Sequence, residues 1–228
     1  MTAKKLLPKK SLNNEAELLE RCRKIEGISF AELAAKLQIP LPFTQAKGWV
    51  GLTAEKFLGS NAGTKPLPDF QDLGIELKTL PCNSVGKPAQ STFVTSISLL
   101  TIHKETWLTS QCFKKLKRVL WLPVEAGPRI PLSQRRVGRG FIWSPNKSEI
   151  AILAADWNEL TFLVNTGHLE QINGKIGRYL QIRPKAANAK ELCYGYDDEG
   201  NKVLTLPRGF YLRCKFTAEI LAKRGRQF

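Results

Sequence analysis

The stretch Pro68-Asp69-Phe70-Gln71-Asp72-Leu73-Gly74-Ile75-Glu76-Leu77-Lys78-Thr79-Leu80 constrains the fold more than any other part of the chain. From Ile75 to Leu80 the apolar Ile75 and Leu77 alternate with Glu76 and Lys78, the period-two pattern of a half-buried strand with one charged face. Residues two apart on a strand project to the same side, so Glu76 and Lys78 stand about 7 Å apart at Cα. Gly74 and the Pro68-Asp69 step punctuate the chain just before the strand and predict a turn that folds Asp69 back over its end.

The flanking sequence predicts helices packed on a mixed sheet. Leu18, Leu19, Cys22 and Ile25 recur at helical spacing between Asn14 and Lys24, and Ser29-Phe30-Ala31-Glu32 reads as a capping box that opens a second helix, ended at Ile39-Pro40. A third helix is expected from Thr53 to Leu58, closed by Gly59 and carrying Glu55. The following Gly59-Ser60-Asn61-Ala62-Gly63-Thr64-Lys65-Pro66 has Gly-Thr-Lys order and prolines where a helix should begin, so it reads as a mobile loop and not as a nucleotide-binding P-loop. Alternation predicts strands over 91–100 and 118–124, both pairing with the Ile75–Leu80 strand in one sheet. Helical spacing returns from Ile150 to Asn165, hairpin-like strands follow around 179–182 and 203–206, and Thr217 to Lys223 forms a last helix.

Charge is the compositional feature that bears on function. The 228 residues carry a net charge of +15, the footprint of a protein that meets a polyanion. The excess is concentrated in the second half. Eight lysines and arginines face the single acid Glu125 between Ser110 and Gly140, and seven face Glu219 between Asn201 and Phe228. The five cysteines are scattered without a C-x-x-C pair and the chain has two histidines, which argues against a disulfide framework, a zinc site or histidine-based catalysis. No apolar run reaches membrane-spanning length, so a cytoplasmic, non-membrane chain is expected.

A pair of acids with a lysine one residue beyond the second suits phosphodiester hydrolysis. Hard Mg²⁺ is held by one or two carboxylates with water and phosphate oxygens, which Asp69 and Glu76 can supply, while Lys78 orients the attacking water or stabilises the phosphorane. The bare spacing is equally met by a turn cap beside an exposed ion pair. Asp72 is the competing acid, closer in sequence to Glu76, and reads as structural.

Longer stretches carry a resemblance. Lys47-Gly48-Trp49-Val50-Gly51, Gly74-Ile75-Glu76-Leu77-Lys78-Thr79-Leu80-Pro81, Arg118-Val119-Leu120-Trp121, Gln181-Ile182-Arg183-Pro184-Lys185-Ala186-Ala187-Asn188-Ala189 and Leu206-Pro207-Arg208-Gly209-Phe210-Tyr211-Leu212 together resemble the MutH family, strand-discriminating nicking endonucleases of methyl-directed mismatch repair. The resemblance runs over nearly the whole chain and implies a restriction-endonuclease-like α/β fold, a single nuclease domain over 1–228 with two lobes around a DNA-binding cleft. The acidic metal site would lie in the N-terminal half and the DNA-reading elements mainly in 110–228.

By that resemblance Asp69 and Glu76 hold Mg²⁺, with Mn²⁺ able to substitute, and Lys78 acts on the nucleophile or transition state. Glu55 is an additional acid near the site, and Lys115 stands by the scissile phosphate, with Lys114 and Lys117 its neighbours in the same run. Arg183 and Pro184 fall where the family reads the bases of GATC, Tyr211 where it senses adenine methylation, and Lys47 among its DNA contacts. An arginine can grip guanine O6 and N7 in a fork. Lys185 and Arg208 read as phosphate contacts, which position without specifying. The implied activity nicks the unmethylated strand of hemimethylated GATC 5′ of the guanine, with activation by MutL after MutS finds a mismatch, in a protein that is monomeric when free. The alternatives are a type II restriction enzyme that cuts both strands as a dimer and a non-catalytic DNA-binding protein.

Overall fold

The computed structural model describes residues 12, 14–42, 48–63, 67–186, 188 and 190–224. The helices are α1 (Glu15–Ile25), α2 (Phe30–Leu37), α3 (Trp49–Leu58), α4 (Gln111–Leu116), α5 (Lys147–Asn165) and α6 (Cys214–Ala222). The strands are β1 (Glu76–Cys82), β2 (Thr92–Ser96), β3 (Val119–Glu125), β4 (Phe141–Trp143), β5 (Leu180–Pro184), β6 (Cys193–Tyr196), β7 (Lys202–Thr205) and β8 (Arg208–Leu212). The architecture is mixed α/β, in two compact units: Met1–Ala89, Arg118–Ser144 and Leu221–Phe228 make one, Gln90–Lys117 and Pro145–Ile220 the other.

The first unit is built as its local sequence dictates. Asn14 caps α1 by accepting from Glu17 N–H at 2.9 Å, and acids in the first turn with Arg23 and Lys24 in the last complement the helix dipole. Buried Leu18, Cys22 and Ile25 line one face of that helix. The Ser29/Glu32 capping box is formed as expected: Ser29 N–H donates to Glu32 Oε2 at 2.9 Å and Glu32 N–H to Ser29 Oγ at 3.3 Å. Ser29 Oγ also donates to Glu32 Oε2 at 2.6 Å, and this bond together with that from Ser29 N–H holds the Glu32 carboxyl below its usual range. Helix α3 starts at Trp49, earlier than Thr53, and ends at Gly59 in the left-handed conformation. These helices share a core with Phe70, Ile75 and Leu77 and with Leu120, Leu122 and Val124 of β3.

The sheet of this unit runs β1-β3-β4, with β1 and β3 parallel from Glu76↔Val119 to Cys82↔Glu125. Strand β2 is not part of it, which corrects the expectation of one sheet holding 75–80, 91–100 and 118–124. Parallel neighbours need a long crossover, and here the chain between β1 and β3 passes through the second unit, where β2 pairs antiparallel with β8. Alternation marks a segment as a strand without naming its partner.

The second unit holds the antiparallel sheet β2-β8-β5 and the separate β6-β7 hairpin. The two segments expected to form hairpin-like strands therefore do not pair with each other: β5 pairs with β8, and β7 with β6. Alternation sends Leu180, Ile182, Phe210 and Leu212 to the buried side of the three-stranded sheet, and the Tyr179 ring stacks on Phe216 of α6 at 3.9 Å. Helix α5 opens on an Asn146/Glu149 capping box three residues before Ile150.

None of the five cysteines is in a disulfide, and burial pushes the Cys22 thiol up to about 12 and that of Cys82 to about 11. Among the described residues no helix is long and apolar enough to cross a membrane. Residues 43–47 and 64–66 lie outside the described residues, so Lys47 and the end of the glycine-rich loop receive no structural account.

One carboxylate ties α5 to the start of β5. Asp156 is buried, and it accepts from three consecutive backbone N–H groups, those of Arg178 at 2.8 Å, Tyr179 at 2.6 Å and Leu180 at 2.8 Å. Charge-assisted bonds to a buried acceptor are strong, and losing the acceptor strands several donors at once. Asp156→Ala is expected to lower stability by about 3 kcal/mol or more, read as a reduced urea midpoint in tryptophan fluorescence. A midpoint equal to that of the unsubstituted chain would show that the nest at 178–180 is not a stability determinant.

Candidate active site

The start of β1 is organised by backbone direction. Glu76 N–H donates to the Arg118 carbonyl at 3.0 Å, toward β3, so the next N–H, that of Leu77, must point to the opposite edge of the strand. There the Asp69 carboxylate receives it, at 2.7 Å to Oδ2. Asp69 is brought to that position by the predicted turn: a single 3₁₀ turn at Gln71–Leu73, Gly74 in the left-handed conformation with φ of 64°, and a Phe70–Ile75 bridge. Its carbonyl is fixed as well, accepting from Ser60 Oγ at 2.9 Å and Asn61 N–H at 3.0 Å.

Glu76 and Lys78 share one face of β1 and pair at 2.8 Å, with 5% and 12% of their side chains exposed. Burial removes the exposed ion pair as an explanation of the pattern. A buried charge pair costs desolvation and is retained only where its geometry compensates, and removing one partner leaves the other uncompensated. Asp69, half-buried, sits against the peptide unit between the two. Two carboxylates and an ammonium are thereby gathered around Leu77.

Glu55 lies half-buried on α3, which packs on β1. Its carbonyl accepts from Gly59 N–H at 3.0 Å and Ser60 N–H at 2.9 Å, and the same Ser60 holds the Asp69 carbonyl, so one residue links the end of α3 to the acidic turn. Asp72 is exposed and accepts from Asn61 Nδ2 at 3.3 Å, which suits the structural role expected of it. A further anchor had no local signal in the sequence. Arg118, whose carbonyl receives Glu76 N–H, is gripped in a fork by Glu15, 103 positions away at the start of α1, and donates to Ser144 Oγ at 3.0 Å. The Glu15 hydrogen bond raises the guanidinium above its ordinary range.

The remaining candidates among the described residues belong to the second unit, whereas Asp69, Glu76, Lys78 and Glu55 belong to the first. Lys115 on α4 is half-buried while Lys114 and Lys117 are exposed, which separates it from its neighbours in the basic run. The outward face of β2-β8-β5 carries Phe93, Tyr211 and Arg183. Phe93 and Tyr211 are cross-strand partners in edge-to-face contact at 5.3 Å, and the Arg183 guanidinium lies 5.8 Å from the Tyr211 ring centroid. Lys185 Nζ lies 4.5 Å from the Phe93 ring, and Pro184 is exposed at the end of β5. Burial raises the Tyr211 phenol above its ordinary value, partly offset by Arg183, so the hydroxyl keeps its proton throughout the neutral range. Arg208, by contrast, is half-buried, and desolvation pulls its guanidinium below the usual range. Phe93 and Ser91 were not singled out from the sequence, because an aromatic and a serine in an alternating strand are unremarkable until the partner strand is known.

Comparison with known proteins bears on the whole chain. The family described as "DNA mismatch repair enzyme MutH" matches by its model over residues 58–156, a span that includes Asp69, Glu76 and Lys78. The DNA mismatch repair protein MutH of Serratia proteamaculans is 48% identical over 212 residues, covering 92% of this chain and 93% of its own length. Its counterpart in Vibrio vulnificus is 50% identical over 209 residues, covering 91% and 92%, and that of Escherichia coli 47% over 211 residues, covering 92% of each. With identity near one half sustained over nine-tenths of the sequence, the chain belongs to the MutH family of DNA mismatch repair endonucleases.

Proposed function

We propose that this protein is the Mg²⁺-dependent endonuclease that nicks the unmethylated strand at hemimethylated GATC, 5′ of the guanine, when activated by MutL after mismatch recognition by MutS. The observation that carries the catalytic part is the gathering of Asp69, Glu76 and Lys78 around Leu77, with the Glu76–Lys78 pair buried at 2.8 Å. The donor set suits Mg²⁺, because both acids offer hard oxygens and Mg²⁺ is usually bound by one or two carboxylates with substrate and water supplying the rest. Among the described residues no group of three or more His, Cys, Asp or Glu could enclose an ion by itself, in keeping with a cation shared with the substrate. Mn²⁺ fits the same oxygen donors. When bound, the ion would lower the pKa of a water and neutralise charge on the phosphoryl oxygens.

The protein's own groups do the positioning. Asp69 and Glu76 hold the cation, Lys78 holds its ammonium beside Glu76 where negative charge develops on the phosphate, and Glu55 is a further acid on the adjoining α3. Lys115 contributes to the scissile phosphate. Arg183 with Pro184 reads the base edges, Tyr211 meets the adenine N6 position in the major groove, and Lys185 and Arg208 neutralise phosphates together with Lys47. A monomer acting in the cytoplasm suits this chemistry, since one active site per event gives a nick where a symmetric dimer would give a break.

Asp69→Ala and Glu76→Ala are each expected to lower nicking in Mg²⁺ by about a thousandfold or more while duplex binding persists, because removing an acid from a basic protein does not weaken its hold on phosphate. Nicking at the ordinary rate by Asp69→Ala would move the site elsewhere, with Asp72 the next acid in line. On a supercoiled plasmid bearing one hemimethylated GATC the product is expected to be open circles, and the free protein is expected to sediment as a monomer at micromolar concentration. Linear product from a tight dimer would favour a restriction enzyme instead. Tyr211→Ser should narrow the rate difference between unmethylated and methylated strands more than it slows cleavage of unmethylated GATC. Equal loss on both substrates would make Tyr211 a structural residue.

A further inference from the structure

The proposed base reader and the proposed methyl sensor are joined by a third residue. On β5 and β8, Arg183 faces Gly209, which has no side chain to support it, so the guanidinium leans diagonally to Tyr211, 5.8 Å from the ring centroid. Its Nη1 then donates to Ser91 Oγ at 2.6 Å, just before β2, the strand on the far side of β8. The side chain thus ties together all three strands of the sheet. Gly209 makes room for the arrangement: a Cβ there would stand 2.9 Å from Phe93 Cε2 and 3.1 Å from the Thr95 carbonyl oxygen, displacing the ring against which Tyr211 packs. An exposed arginine otherwise samples many rotamers, and holding one in place for a bidentate contact costs entropy that a fixed hydrogen bond removes in advance.

We infer that Ser91 is a positioning residue that clamps Arg183 across the Tyr211 ring, so that sequence reading and methylation sensing are properties of one pre-set unit. The inference rests on the roles proposed above for Arg183 and Tyr211. It differs from a structural role because a half-buried hydroxyl that belongs to no core should affect selectivity far more than folding. It also makes a directional claim, since a serine that merely parked the arginine away from DNA would restrain activity and not support it.

The test measures nicking rates of the full-length protein in Mg²⁺ on duplexes carrying GATC, a single-base variant of it, and the fully methylated site. Ser91→Ala is expected to reduce both selectivity ratios, cognate over variant and unmethylated over methylated, by about three- to tenfold, the scale of one ordinary hydrogen bond. Ser91→Thr, which keeps the hydroxyl, is expected to restore them to within about twofold. In a Tyr211→Ser background, Ser91→Ala should cause little further loss of methyl discrimination, because the clamp acts through the ring. Unchanged ratios, improved ratios, or an equal slowing on all substrates with Ser91→Ala would overturn the inference. Arg183→Ala distinguishes the two levels: if it abolishes sequence selectivity while Ser91→Ala leaves both ratios unchanged, the clamp is wrong and the reader stands, and if it leaves selectivity intact, the reader falls and the clamp with it.

Discussion

The hydrogen bond from Leu77 N–H to Asp69 Oδ2 is the contact on which the candidate active site depends. A parallel pairing with β3 commits Glu76 N–H to Arg118 and leaves the next N–H directed outward, where an unpaired donor would otherwise need water. Asp69 satisfies it, and in doing so places a carboxylate beside the peptide that separates Glu76 from Lys78. The turn through Gly74, the Phe70–Ile75 bridge and the two bonds to the Asp69 carbonyl all hold that one side chain in register with the strand. Arg118 secures the other side of the same strand, its carbonyl bonded to Glu76 and its guanidinium gripped by Glu15. Both flanks of the first residues of β1 are therefore fixed by hydrogen bonds from neighbouring segments, which is how a site built for precise geometry is kept rigid.

Charge is divided in the same spirit. A chain of net charge +15 can hold a polyanion almost anywhere, so the carboxylates gathered at the start of β1 are what the proposed cation would need. Glu76 is tolerated inside the protein because Lys78 meets it at 2.8 Å. On the second unit two exposed basic groups are paired with aromatic rings, Arg183 with Tyr211 and Lys185 with Phe93, an arrangement that limits their freedom without neutralising them.

The local devices were legible in the sequence and the long-range ones were not. The Ser29/Glu32 capping box, the Gly59 helix stop and the turn that returns Asp69 to the strand all follow from residue types at fixed short spacings, and each is formed as expected. The alternation at Glu76 and Lys78 correctly put them on one face but could not tell a solvated face from a buried one, which depends on what covers the strand. Strand partnership differs for the same reason: β2 carries the pattern of a strand, yet its antiparallel partner β8 is reached only after residues 97–207. The Glu15–Arg118 fork, the Asp156 nest and the Ser91–Arg183 contact join residues too far apart in sequence for any local pattern to announce them.

The central claim is that a divalent cation sits between Asp69 and Glu76 at the start of β1. Paramagnetic broadening of backbone amide resonances during a Mn²⁺ titration of the DNA-bound protein locates the ion without relying on turnover, most cleanly with a duplex whose scissile linkage cannot be hydrolysed. Broadening should begin at Leu77 and its immediate neighbours, with Asp69, and should vanish from that region in Asp69→Ala. Broadening centred instead on the exposed Asp72 turn or on the acidic Asp197-Asp198-Glu199 turn between β6 and β7, with Leu77 unaffected at matched occupancy, would contradict it.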